Sequence, residues 1–302
     1  MSISHYIRDI GRGKDGARAL ARAQAADLMG KILDQRVSDL ELGAFCIAMR
    51  VKGETPEEMA GFLDATHTRL QLIQNAGVPT VVLPSYNGAR KLPVLTPLLA
   101  LLLAREGVAV VVHGFATEDL RVSSQAVFSV LGIRPVGASP SLKPGQVALV
   151  PTGLLHPGLE RLLSVRRVVG LRNPGHSLVK LMNPCSSRSA ATLVVGSYTH
   201  PEYQQSMSAT FQLTEQHALL LRGTEGEPVA DARRTPAMDV FHQGQLNRVQ
   251  SLQEGPLAHL PELPATDAVA TALYTEHVLQ DLLPVPSPIA RQVQHILQAL
   301  KA

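Results

Sequence analysis

The sequence predicts an α/β protein: a small helical domain and a large α/β domain with a mostly parallel central sheet. Three observations carry this prediction. The first 75 residues place apolar side chains at helical spacing. From Val78 onward, short β-branched runs alternate with helical stretches, which is the pattern of βαβ units. The run Val108 to Val112 is apolar throughout, as expected of a parallel strand covered on both faces.

In chain order, Leu28, Ile32 and Leu33 mark one helix, and Leu40, Ala44, Ile47, Ala48 and Val51 mark the apolar stripe of the next. Ser38 with Glu41, and Thr55 with Glu58 across Pro56, are capping-box patterns, and Gly53 falls just beyond the helix between them. Met59, Phe62, Leu63, Thr66 and Leu70 continue a stripe on the following helix. This small bundle therefore needs a further surface to bury it. VPTVVLP, PLLALLLAREG, VAVVVHG, QAVFSVLGI and VALVP then alternate strand with helix, and further strands are expected at Ala191 to Val195 and Ala218 to Leu221. Leu159 to Leu163 and Ser177 to Met182 read as helical. Glu254 to Pro288 reads as a proline-rich tail, and a terminal helix runs from about Ile289 to Leu300. Ligands of open parallel sheets bind outside the carboxyl ends of the strands, so the loops after Leu83 and Val112 are the places to look for chemistry.

A chain of 302 residues with 45% apolar and 18% charged residues has enough apolar material for a large core, which excludes a disordered tail. Its two cysteines, Cys46 and Cys185, make neither a disulfide framework nor a metal-ligand pattern, so a reducing, cytoplasmic setting is expected. The start lacks an apolar signal segment. The longest apolar run, Val94 to Ala104, is broken by Thr96 and Pro97 and ends at Arg105, so no membrane span is expected. The absence of Trp argues against a base-stacking platform built on exposed rings.

Charge is segregated. Arg121 to Pro201 holds nine basic residues (Arg121, Arg134, Lys143, Arg161, Arg166, Arg167, Arg172, Lys180 and Arg188) against one acid, Glu160, while the whole chain has a formal charge of only +3. A region of one sign concentrates anions at its surface, and the planar fork of arginine fits phosphate oxygens.

Four stretches carry a family resemblance: AFCIAMRVKGETPEEMAGFLDAT at Ala44 to Thr66, PSYNGARKLPVLTPLLALLLAREG at Pro84 to Gly107, GLRNPGHSLVKLMNP at Gly170 to Pro184, and LLRGTEGEP at Leu220 to Pro228. With these the chain resembles the anthranilate phosphoribosyltransferase superfamily of glycosyltransferase family 3, and within it the nucleic-acid-binding YbiB branch. The resemblance spans nearly the whole chain. It implies a helical domain at 1–75 completed by an inserted segment at about 157–187, a large domain at 76–156 and 188–302, and a homodimer joined through the helical domains.

The departures from the enzyme pattern bear on chemistry. The family's Gly-Thr-Gly-Gly-Asp loop, whose backbone N–H groups approach the diphosphate, is here Pro84, Ser85, Tyr86, Asn87 and Gly88. Its Lys-His-Gly-Asn becomes Val112, His113, Gly114 and Phe115. In place of the consecutive Asp-Glu that holds magnesium stand Glu225 and Glu227, separated by Gly226. Displacing diphosphate requires charge neutralisation, so losing all three elements argues against catalysis.

Cations remain at the same loops. The expected phosphate contacts are Arg90, Lys91, Arg121, Arg166, Arg167, Arg172, His176, Lys180 and Arg222, with Arg233 and Arg234 nearby. Arg172 matches an arginine that faces substrate in the related enzymes. His176 and Lys180, four residues apart, could add a cationic helical face if the imidazole is protonated. Ser85, Asn87, Gly88, His113 and Gly114 are the remnants of the phosphate loops. The leading expectation is a homodimer that needs no cofactor and binds nucleic acid through its phosphates with little sequence preference. Two alternatives stand beside it. One is a divergent phosphoribosyl or glycosyl transferase with magnesium on Glu225 or Glu227 and His113 near the sugar. The other is a structural dimer pairing its basic stretch with an acidic protein.

Overall fold

A computed structural model describes residues 2–13, 15–75, 77–114, 120–186, 192–257 and 260–301; Phe115, Arg188 and Ala191, named above, lie outside them. The chain opens with four helices: α1 (Ser4–Ile10), α2 (Arg22–Leu33), α3 (Asp39–Lys52) and α4 (Pro56–His67). Both capping boxes form. The Ser38 hydroxyl accepts the Glu41 N–H at 3.3 Å while the Glu41 carboxylate accepts the Ser38 N–H at 2.9 Å, and Thr55 and Glu58 do the same at 3.2 and 2.9 Å. Each cap contributes roughly 1 kcal/mol. Glu58 is fully buried. It also takes a 2.6 Å bond from the Lys52 ammonium and a 2.9 Å bond from the Leu20 N–H, tying three segments together.

One expectation fails here. The buried face of α3 is Leu42, Phe45, Cys46 and Met49, whereas Leu40, Ile47 and Val51 are 84%, 40% and 57% exposed. The helix has two apolar stripes, and the one bearing the phenylalanine faces inward, where Phe45 meets Phe62 of α4 edge to face.

The remaining elements are β1 (Thr80–Ser85), α5 (Thr96–Arg105), β2 (Ala109–Gly114), α6 (Ser124–Val130), β3 (Val147–Pro151), α7 (Thr152–Leu155), α8 (Pro157–Val169), α9 (Gly175–Leu178), β4 (Thr192–Tyr198), α10 (Pro201–Leu213), β5 (Ala218–Arg222), β6 (Met238–His242), β7 (Gln245–Gln250), α11 (Ala268–Leu279) and α12 (Ser287–Ala299). They build one seven-stranded sheet in the order β3-β2-β1-β4-β5-β6-β7. The first five strands are parallel, and β6 and β7 are antiparallel.

The uniformly apolar strands are explained by two cores. Val82, Ala109, Val111, Val194 and Leu220 pack on the face shared with the N-terminal helices, α8 and α10. Val81, Leu83, Val110, Val112, Leu193 and Leu219 pack on the opposite face, against α5 and residues of α11 and α12. Three local readings are corrected. The tail read as proline-rich contains α11, which starts on the Asp267 N-cap. Ser177 to Met182 retains only the end of the one-turn helix α9, and the β6–β7 hairpin is additional.

Because the chain runs outward from β1 to β3 and then returns to β4 on the other side of β1, the sheet's switch point lies between β1 and β4. Crevices at such points receive ligands in open α/β sheets. The loop that leaves β1, residues 84–92, is therefore placed at the centre of the molecule's chemistry. Among the described residues no helix is long and apolar enough to cross a membrane.

Candidate functional site: a phosphate loop and its two carboxylates

The loop after β1 faces the turn after β5, residues 223–228, and two carboxylates join them. Glu227 is 1% exposed. Its Oε1 accepts the backbone N–H of Asn87 and of Gly88, each at 2.8 Å. Its Oε2 accepts the hydroxyls of Ser85 at 2.5 Å, Thr96 at 3.1 Å and Ser124 at 3.2 Å. Glu225 lies nearer the rim. It accepts the N–H groups of Arg90, Lys91 and Leu92 at 3.2, 2.7 and 2.9 Å, and the Arg121 guanidinium at 3.3 Å. Burial pushes the Glu225 carboxyl up, but the amides of Lys91, Leu92 and Arg90 together with the Arg121 charge outweigh it and hold the group below its ordinary value.

The local backbone is shaped for this approach. Gly88 has φ +63°, and a Cβ there would stand 2.7 Å from the Val122 carbonyl oxygen. Gly226 has φ +86°, and a Cβ there would meet the Asn87 side-chain nitrogen at 2.0 Å. The turn is pinned from outside by Asn87, whose Nδ2 donates to the Glu225 carbonyl at 2.8 Å. Ser197 and Lys180 donate to the Gly226 carbonyl at 2.8 and 2.7 Å.

The expected cations divide into two groups. Arg90, Lys91, Arg167 and Arg222 are exposed, and Arg166 and Arg172 are partly exposed. Arg121 instead turns inward, pairing with Glu225 and reaching the Gly88 carbonyl at 3.4 Å. Lys180 is 8% exposed, and burial with the neighbouring Arg172 charge brings its ammonium down to about 8. His176 is buried, and burial with Arg172 brings it down to about 3, so it is neutral and adds no charge beside Lys180. Arg233 pairs with Asp231 at 2.8 Å, and Arg234 donates to the Gln253 carbonyl.

His113 is fully buried at the end of β2. Its Nδ1 lies 2.7 Å from the Tyr86 hydroxyl, which also lies 3.0 Å from Thr152, and burial pushes its pKa down to about 3. It is a structural link between β1, β2 and α7. Gly114 permits the close pass of β2 against Ser85, since a Cβ there would stand 2.2 Å from the Ser85 carbonyl oxygen.

One cavity adjoins the loop, and a second lies on the helical side, away from residues 84–92. One, of about 30 Å³ among Ser85, Asn87, Gly114, Arg121, Ser124 and Pro151, has room for water but not for a sugar diphosphate. The other, of about 410 Å³, lies between the end of α3 and the start of α10 and is lined by Arg50, Arg172, His176, Lys180, Tyr198 and Tyr203. The buried Nε2 of His176 has no hydrogen-bond partner among the described residues.

Magnesium does not fit at Glu225 and Glu227. Their four oxygens are ringed by N–H and O–H donors, which would face the cation with their positive ends, and the two side chains enter different parts of the loop. Among the described residues no three His, Cys, Asp or Glu side chains converge as metal ligands.

Thr96 is a participant absent from the expected site, and Tyr86, expected there only as a loop member, also bonds to His113. Nothing local marks them, because their partners lie 131 and 27 residues away.

A helical bundle joined to a mostly parallel sheet, with a loop at the switch point, is the phosphoribosyltransferase-like fold. Comparison with known proteins agrees. Residues 4–68 match the helical bundle domain of the glycosyl transferase family. The crystal structure of anthranilate phosphoribosyltransferase from Thermus thermophilus superposes with a TM-score of 0.73 at 19% identity, over 97% of this chain and 87% of that one. The enzyme from Saccharomyces cerevisiae in complex with PRPP and Mg gives 0.69 at 12% identity, over 99% and 88%. In sequence, the anthranilate phosphoribosyltransferase of Anaeromyxobacter dehalogenans is 29% identical over 92% of this chain and 82% of its own length. YbiB of Escherichia coli, described as an uncharacterized protein, is 38% identical over 99% of this chain and 94% of its own. The chain belongs to the YbiB family.

Proposed function

We propose that this protein binds nucleic acid through its phosphates, with little preference for sequence, as a homodimer and without a metal cofactor. The observation that carries this reading is the placement of Arg90 and Lys91. Their backbone N–H groups are held by Glu225 at the switch-point loop while their side chains are exposed. No ion pair joins either side chain to a described acid. Fixed, exposed cations at the rim of a closed site suit an extended polyanion better than a small substrate. Arg167 and Arg222 add exposed charge, and Arg166 and Arg172 add partly exposed charge.

Dimerisation through the helical domains is supported by the exposed apolar stripe Leu40, Ile47 and Val51 of α3. Val168, near the end of α8, and Leu171, just beyond it, are 89% and 47% exposed, and α8 is tied to α3 by Arg161 and Asp39 at 2.6 Å. Two subunits would present two sets of cations to one strand, which raises avidity. With both cysteines reduced and buried, a cytoplasmic setting is part of the same reading.

The transferase alternative has one observation in its favour, the roughly 410 Å³ cavity beside Arg172. It needs Glu225 and Glu227 to leave the loop they occupy. Fluorescence anisotropy of a labelled random-sequence oligonucleotide, titrated at several salt concentrations with phosphoribosyl diphosphate and magnesium as competitor, separates the readings. Binding that weakens steeply with salt and ignores the competitor is expected. No binding at low salt overturns the nucleic-acid reading.

A further inference from the structure

Between α1 and α2 the chain reads Gly11-Arg12-Gly13-Lys14-Asp15-Gly16-Ala17-Arg18, three glycines and three cations in eight residues, and the site after β1 uses none of them. Arg8 stands just before it, in the last turn of α1. Lys14 lies outside the described residues.

The glycines have geometric reasons. A Cβ at Gly11 would stand 2.6 Å from the Ile7 carbonyl oxygen, and one at Gly16 would stand 2.8 Å from the Arg12 carbonyl oxygen, while Gly13 has φ +80°. Backbone N–H groups pin the segment: Gly11 donates to Ile7 at 2.8 Å, Ala17 to Gly13 at 3.0 Å and Arg18 to Asp9 at 2.9 Å. The side chains are thus presented from a tied base.

Arg8, Arg12 and Arg18 are all exposed. Among the described residues no ion pair joins any of the three to an acid, although Asp9 and Asp15 are neighbours in sequence. Arg22, by contrast, is engaged by Asp64 at 2.6 Å. Arg12 donates from Nε to the Arg8 carbonyl at 3.2 Å, which orients its guanidinium, and the terminal nitrogens carry no hydrogen bond to a described residue. A fork oriented by its own backbone and left without a carboxylate is arranged for an anion from outside, at a reduced entropy cost of binding.

The place of the loop matters too. A Cβ at Gly11 would lie 3.8 Å from that of Ala48 on α3, the residue after Ile47 of the exposed apolar stripe. Ser2 and Ile3 also donate to Glu41 of α3, at 2.7 and 3.0 Å. The arginines therefore border the face through which dimerisation is proposed, and a two-fold axis there would double them.

Resting on the nucleic-acid reading, we propose that Arg8, Arg12 and Arg18 form a second phosphate-contacting surface, on the helical domain, for the polyanion that meets Arg90 and Lys91. Full-length wild type, R12A/R18A and R291A/K301A are compared by anisotropy of a labelled random-sequence duplex over a range of salt. Arg291 and Lys301 are exposed cations on and just after α12, which packs on the opposite face of the sheet from the N-terminal helices, so the second variant loses equal charge elsewhere. In parallel, wild-type protein is modified with phenylglyoxal with and without the duplex, and the modified arginines are mapped by mass spectrometry.

R12A/R18A should flatten the plot of log K against log salt by about 1.8, at about 0.9 for each contact, while R291A/K301A follows the wild type. The duplex should protect Arg8, Arg12 and Arg18 from phenylglyoxal and leave Arg291 reactive. The footprint uses wild-type protein alone, so it decides even where a variant folds poorly. If the wild type binds while R12A/R18A keeps its slope, or while the three arginines stay reactive, this inference is overturned and the nucleic-acid reading stands. Equal flattening in both variants overturns it as well, because net charge alone is then at work. A wild type that does not bind at low salt overturns both.

Discussion

The Lys180 ammonium donates to the Gly226 carbonyl at 2.7 Å, joining the segment after α9 to the turn that carries both glutamates. A residue that reads as a surface cation is thus a buried strut. Burial and the Arg172 charge bring its pKa down to about 8, from an ordinary value of 10.5. Between those two pH values the unfolded chain holds a proton that the folded chain has released, so stability rises with pH across that window. K180M should abolish this rise. Urea melts of wild type and variant at pH 7.5 to 10.5 check it, and parallel curves would contradict it.

His113 and His176 act at the other end of the pH scale. Both are brought down to about 3, chiefly by burial, so below pH 6.5 the unfolded chain binds protons that the folded chain refuses. Stability should therefore fall as pH drops from 6.5 toward 3, with a limiting slope of about 1.4 kcal/mol per pH unit for each histidine. H113N should reduce the slope while lowering stability at pH 7, because Tyr86 loses one of its partners. Denaturant unfolding from pH 7 to 4 measures both.

Glu58, itself fully buried, combines a helix cap, an ion pair with Lys52 and a bond to the Leu20 amide. E58A takes the counter-ion from the Lys52 ammonium, which keeps only its bond to the Gly53 carbonyl, and leaves two amides without acceptors. It should lower stability by about 3 kcal/mol or more, read as a lower urea midpoint with an unchanged m-value.

If Arg90 and Lys91 contact phosphates, R90A and K91A should each weaken oligonucleotide binding for every sequence tested. Each should also flatten the plot of log K against log salt by about 0.9 for duplex, or about 0.7 for single strands. An unchanged slope would remove the residue from the interface.

I47K places a charge in the exposed apolar stripe of α3. If the proposed dimer forms through this stripe, sedimentation should show a wild-type dimer and a monomeric I47K with unaltered circular dichroism. A dimer that persists would move the interface elsewhere.

What was legible in the chain was local. The caps at Ser38 and Thr55 announce themselves within four residues, and the alternation of strand and helix from Val78 reflects burial of the sheet on both faces. The inner face of α3 was not legible, because two apolar stripes share that helix and only tertiary contact chooses between them. The β6–β7 hairpin was missed because β7 is a polar, exposed edge strand. Its signal was the pair Gln243 and Gly244, both at positive φ in a two-residue turn. The place of the loop after β1 was legible, since it leaves the carboxyl end of a parallel strand. Its occupants were not, since Glu227 reaches Asn87 across 140 residues and no spacing rule spans that distance.

A side chain anchored in a turn competes with dissolved ions at a fixed effective molarity. For short tethers that figure is already on the order of millimolar, and for a pre-positioned group it is higher. The carboxylates held at Asn87 and Lys91 therefore compete with any small anion for the same amides. If the proposed polyanion binding holds, its contacts are the many weak ones at the rim, where Arg90 and Lys91 stay exposed.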